Sequence, residues 1–231
     1  MLPKLNILNQ IYALYDNFTE DIDSACKKGC SHCCTCNVTV TTIESYKIIH
    51  YLLKNDQSNL LSDLSGLSGL PDFSGSKKRF LPKVTTNQFA ELCIDGGELP
   101  EEENRSEWGK CAFLSNDICS IYELRPFACR CMISEKDCAK QGFASVKPFV
   151  LTVSNVFQQY IEHMDHNGYF GNIADVLALL SKSENRADYI QNRLKSDDDL
   201  LISNQKIKYL MIPPEDRAKI MPLLNQLTGL C

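Results

Sequence analysis

Five of the chain's twelve cysteines fall between Cys26 and Cys36, in the run Cys26-Lys27-Lys28-Gly29-Cys30-Ser31-His32-Cys33-Cys34-Thr35-Cys36. Thiols two or three residues apart on one loop can converge on a small centre while the backbone wraps it. Gly29 permits the tight bend this needs, and loop N–H groups that face the sulfurs soften their negative charge. Structural zinc usually takes two well-separated Cys-x2-Cys pairs. Cys30 and Cys33 make one pair, and no second pair of that spacing follows downstream of the loop. Several ligands on one loop suit an iron–sulfur cluster, whose irons present separate corners. The adjacent Cys33 and Cys34 point the same way, because neighbouring side chains reach two corners more easily than one ion. Zinc stays open as the alternative.

A second group lies between Cys93 and Cys138. It contains Cys111-Ala112-Phe113-Leu114, Cys119-Ser120-Ile121-Tyr122 and Arg125-Pro126-Phe127-Ala128-Cys129-Arg130. Asn116-Asp117 supplies one turn, and Pro126 biases Arg125 away from helix and supplies another bend. Two such turns would return Cys111, Cys119 and Cys129 to the first loop. Arg130 either offsets the charge of a thiolate-rich centre or sits in a surface ion pair. Trp108 and Phe113 are expected to shield the centre, and His32 to offer an N–H to a sulfur.

Taken together, Cys-x3-Cys-x2-Cys-Cys, Cys-Ala-Phe-Leu, Cys-Ser-Ile-Tyr and Arg-Pro-x-x-Cys-Arg resemble the YkgJ-like cysteine-cluster proteins of bacteria. These are described as zinc- or iron-chelating, or as iron–sulfur proteins. The resemblance spans Cys26 to Cys129 and implies a shared metal-ligating set of Cys26, Cys30, Cys33, Cys34, Cys111, Cys119 and Cys129. Cys36, Cys93, Cys131, Cys138 and Cys231 fall outside it. The first spacing is x3 where many relatives have x2. The stretch holding Gln158, Glu162, His163 and Asp165 also looks like longer members. A larger relative, flagellin lysine methylase, carries a similar cysteine region, so a protein-modifying enzyme is a second reading.

Other classes are weighed against these. Cys26-x3-Cys30-x2-Cys33 has the radical S-adenosylmethionine spacing, but the repeated strand–helix units of that barrel are missing. A disulfide framework is disfavoured without a secretory signal. His163 and His166, with Glu162 and Asp165 nearby, read as a polar helix end rather than a second metal site. No Gly-x-Ser-x-Gly, His-Glu-x-x-His or phosphate-binding glycine loop occurs. The net charge of −5 argues against nucleic acid; the one basic run, Lys77-Lys78-Arg79, reads as a solvated loop. No segment is long and apolar enough for a bilayer, and the start lacks signal-peptide features. The expectation is a cytoplasmic protein, with a protein partner or substrate possible.

The elements that must position these cysteines are mostly helices. Leu5, Leu8, Ile11, Tyr12, Leu14, Tyr15 and Phe18 repeat at helical spacing. Asn37–Thr41 is β-branched and suits a short strand. Thr41-Thr42-Ile43-Glu44 is a capping box opening a helix with Ile48, Ile49, Leu52 and Leu53. Helices are predicted over Thr86–Ile94, from Pro148 to about Met164, and over Ile173–Leu180, Asn185–Lys195 and Pro214–Leu227. Ser, Gly and Pro cluster over about 57–83, which predicts a mobile loop. The whole reads as one domain over 1–231, mainly α. Its helices surround a small irregular cysteine-rich metal-binding region with short β pieces, over about 26–138. A helical part follows over about 148–231.

Overall fold

The computed structural model describes residues 2–57, 59–60 and 79–230. The expected loop over 57–83 lies largely outside these residues, as does Cys231. The fold is mainly helical with a few short strands.

Helix α1 (Leu2–Glu20) places Leu8, Ile11 and Tyr15 on one face, and all three are fully buried. That face packs against α2 (Thr42–Lys54), α6 (Pro148–Met164) and α9 (Arg217–Leu230). From α2 come Ile48, Ile49 and Leu52, and from α6 Val153, Phe157 and Ile161, none with exposed surface. Burying each such side chain contributes roughly 1.5–3 kcal/mol relative to leaving it in water. The Tyr15 ring meets Phe127 edge-on at 4.7 Å and Phe157 at 5.2 Å between centroids. An aromatic cluster therefore ties the cysteine-bearing middle of the chain to the helical core.

The capping box forms: the Glu44 carboxylate turns back on its own N-cap residue and accepts the Thr41 N–H at 2.9 Å. Helix α3 (Thr86–Asp95) starts on a second capping box at Thr85 and stops at Gly96, which takes a left-handed φ of 72°. Pro148 opens α6 at a position where a missing N–H costs nothing.

The strand expected near Asn37–Thr41 is β1 (Thr39–Thr41). It pairs antiparallel with β4 (Tyr169–Asn172), which pairs antiparallel with β5 (Ile202–Ser203). Helix α7 (Ile173–Ser181) follows β4 directly and packs on α2. Helix α8 is Ser183–Ile190, shorter than the expected Asn185–Lys195, because the chain turns at Asn192 with φ 54°. In the basic run, Arg79 is not solvated. Its guanidinium makes two hydrogen bonds to Asp175 at 3.0 and 2.7 Å, with both side chains largely buried. No described helix is long and apolar enough to cross a membrane.

The segment between α3 and α6 is irregular. It holds the hairpin β2 (Leu114–Ser115) and β3 (Ile118–Cys119), and two single-turn helices, α4 (Phe127–Arg130) and α5 (Cys138–Gln141).

Candidate functional site

The two cysteine-bearing segments are joined through their backbones. Cys111 donates its N–H to the Cys34 carbonyl at 3.0 Å, and Cys36 donates its N–H to the Gly109 carbonyl at 2.9 Å. Thr35 and Lys110 face each other between these bonds as an antiparallel bridge. Gly109 has φ 149° and ψ 173°, a region open essentially to glycine alone. The chain then turns through Asn116 and Asp117, both left-handed at φ 49° and 61°. Such a two-residue turn matches the twist of a tight hairpin, and it sets Cys119 opposite Leu114. The Asp117 carboxylate accepts the Ser31 hydroxyl at 2.7 Å, tying the hairpin back to the first loop. Pro126 precedes α4, which carries Cys129.

The result is a cavity of about 660 Å³. Its wall includes every cysteine of the expected set: Cys26, Cys30, Cys33, Cys34, Cys111, Cys119 and Cys129. They are not equivalent. Cys33, Cys34, Cys111, Cys119 and Cys129 lie close enough to feel one another's charge. Cys30 and Cys33 are both exposed, but only Cys33 is within reach of the other thiols' charge, and the Cys26 sulfur accepts the Ser134 N–H at 3.3 Å. Among the described residues, no three or more His, Cys, Asp or Glu side chains stand where they could hold a metal ion.

The thiol chemistry follows from these surroundings. Cys33 and Cys34 share a hydrogen bond, which pushes Cys33 up and draws Cys34 down. Adjacent in sequence, they therefore face the same cavity rather than two sites. Burial pushes Cys111, Cys119 and Cys129 up. Opposing it, the Phe113 N–H bonds to the Cys111 sulfur and the Ile121 N–H to the Cys119 sulfur. Each donor lies two residues beyond its cysteine. Hydrogen bonds of this kind to sulfur stabilise thiolates and tune the centres they bind.

Arg125 and Arg130 both line the cavity, but Arg125 is the one that acts on the thiols of Cys33 and Cys119. The Arg125 guanidinium lies 3.7 Å over the Tyr122 ring and offsets part of the rise of Cys33, caused first by its bond to Cys34, and of Cys119, caused first by burial. It forms no ion pair among the described residues. Arg130 instead meets Asp16 with two bonds from Nη1 at 3.1 and 2.8 Å. Of the expected shields, Phe113 is buried and lines the cavity, whereas Trp108 is not part of its wall. His32 lines the cavity but is exposed and makes no bond to a sulfur among the described residues.

The Gln158–Asp165 stretch does structural work. Glu162 accepts the N–H groups of Thr86 and Asn87 at 2.9 Å each, capping α3. The His163 Nδ1 accepts the Ile207 N–H at 3.1 Å, and His166 turns to the His163 carbonyl. This is the polar helix end expected there.

Two asparagines that pattern reading passed over hold the first loop in place. Asn37 donates to Asn104 and to the Arg105 carbonyl at 2.7 Å each, and accepts the Phe80 N–H at 3.0 Å. Asn172 donates to the Cys36 carbonyl at 2.8 Å. These partners are remote in sequence and no local signal marks the contacts, although Asn172 is also the N-cap of α7, where it accepts the Ala174 N–H at 3.1 Å. Compared with known proteins, the chain matches no protein-family model, no curated protein and no solved structure.

Proposed function

We propose that this chain is a metal-binding protein whose cysteines hold an iron–sulfur cluster of the four-iron kind, in a structural, electron-transfer or metal-handling role. The observation that carries the reading is the backbone pairing of Cys34 with Cys111. It brings thiols from both cysteine groups to one cavity wall. The N–H groups of Phe113 and Ile121 and the guanidinium of Arg125 supply the positive surroundings that thiolate ligands require. The resemblance to the YkgJ-like proteins implies the same donor set. Bound there, such a cluster would take up or release electrons singly. Cys33, Cys34, Cys111, Cys119 and Cys129 are the proposed inner ligand candidates, with Cys26 and Cys30 at the edge. Clustered cysteines of this kind fit the reducing cytoplasm.

The test is iron retention in serine variants of Cys34, Cys111, Cys119 and Cys129, with Cys93→Ser as control. The four should lose iron and the control should keep it. Full retention by all four would reject the assignment.

A second reading is a cluster-containing enzyme, such as a protein-modifying methylase. It is favoured by the cavity volume, which lies within the roughly 300–1,000 Å³ of small-molecule pockets. Tight binding of S-adenosylmethionine to the iron-loaded protein would select it. A colourless protein with zinc and no sulfide would instead indicate a zinc-stabilised scaffold.

A further inference from the structure

The Cys129 thiol depends on a helix that has little stability of its own. Helix α4 is a single turn, Phe127–Arg130, far below the length at which a helix persists unaided. Its first N–H, on Phe127, has no partner within the helix, as at every helix start. That donor meets Oε1 of Glu44 at 2.6 Å.

Glu44 is almost fully buried, and each of its oxygens takes two donors. Oε2 accepts the Thr41 N–H and hydroxyl at 2.9 and 2.8 Å. Oε1 accepts Phe127 and the Tyr12 hydroxyl, the latter at 2.7 Å. The capping box needs only the Thr41 side of this arrangement. The reach to Phe127 goes beyond the local cap and spans from α2 to the segment bearing Cys129. The other end of α4 is gripped through the same hub. Arg130 lies over the Tyr12 ring at 4.4 Å, bonds Asp16, and donates to the Arg125 carbonyl at 3.0 Å.

We propose that Glu44 is a positioning residue of the thiol cavity: its carboxylate holds the Phe127 N–H and thereby fixes where the Cys129 sulfur stands. The proposal rests on the metal-centre reading above. A glutamine at position 44 leaves one pair of donors facing an amide NH2, so one side of the hub is lost.

The experiment compares Glu44→Gln with Glu162→Gln. Glu162 is also fully buried and also satisfies the start of a helix, α3, but it has no part in the cavity wall. Both variants should unfold at lower denaturant. The protein is loaded anaerobically with ferrous iron and sulfide, and iron loss to a ferrous chelator is timed. Glu44→Gln should release iron roughly 10–100-fold faster than the unaltered chain, the usual cost of losing a residue that orients a ligand. Glu162→Gln should release it at the unaltered rate. A second readout needs no metal: iodoacetamide labelling of each cysteine in the metal-free protein, read by mass spectrometry. Glu44→Gln should speed labelling of Cys129 relative to Cys30, and Glu162→Gln should leave that ratio unchanged. Equal effects of the two variants on Cys129 labelling, or none from either, would overturn the proposal. If the unaltered chain takes up no iron, the metal-centre reading fails, while the labelling ratio still decides the role of Glu44.

Discussion

The N–H of Cys111 donates to the carbonyl of Cys34 at 3.0 Å, so two loops far apart in sequence share a stretch of ladder and their thiols arrive together. The Thr35–Lys110 bridge and the bond from Cys36 to the Gly109 carbonyl fix the register of that contact. A slip of one residue would turn the side chains of one loop to the opposite face.

Gly109 is the residue on which this register depends. Its backbone lies at φ 149°, ψ 173°, and among the described residues a Cβ there would touch only the Cys36 sulfur, at 3.8 Å. The strain of Gly109→Ala is therefore in the backbone rather than in packing, and should cost about 1–3 kcal/mol. A urea midpoint measures the loss, and iron content should fall with it. A variant as stable as the unaltered chain would show that the loop contact does not need this conformation.

Arg125 is the second point of leverage. Its guanidinium offsets part of the rise of the Cys33 and Cys119 thiols. Arg125→Gln removes a positive charge beside the proposed centre, which disfavours the electron-rich state. The reduction potential should move to more negative values and iron should be held less firmly. Arg130→Gln, whose cation is engaged by Asp16, should move the potential less. Voltammetry of both variants checks this ordering, and the reverse order would contradict it.

Much of the positioning scaffold was legible in advance, and the reason is physical. The periodic face of α1, the Thr41–Glu44 cap, the stop at Gly96 and the Pro148 start of α6 are encoded within a few residues. The return of Cys111, Cys119 and Cys129 toward the first loop was readable from two turns, and these three line the same cavity as that loop; the full set of seven came only from the family resemblance. Strands β4 and β5 were not expected, because a four-residue and a two-residue strand carry too little alternation to stand out. Arg130 stood open between offsetting thiolate charge and a surface ion pair, and it is the ion pair, with Asp16, that forms. Which arginine meets Asp16 depends on the path of α1, and that path is not written near either arginine. Glu44 was readable as a cap, but its bond to Phe127 is a tertiary contact.

The metal-free fold should show a distinctive dependence on pH through Asp165. This carboxyl is fully buried. It accepts the Tyr189 hydroxyl, the Ile43 N–H at 3.1 Å and the Asn204 amide at 3.0 Å. Burial outweighs these donors and pushes its pKa up to about 7. In the unfolded chain the value is about 3.9. The folded state thus keeps its proton where the unfolded state has lost it. The contribution of this group to stability is fully present below about pH 4, and declines as pH rises until about pH 7. Asp165→Asn should flatten the urea midpoint across that window. An identical slope in the variant would remove Asp165 as its cause.

The most direct test of the account is iron and acid-labile sulfide per chain, measured on protein purified without oxygen. The account predicts about four irons and four sulfides in a coloured protein. A colourless chain carrying one zinc and no sulfide, or no metal at all, would contradict it.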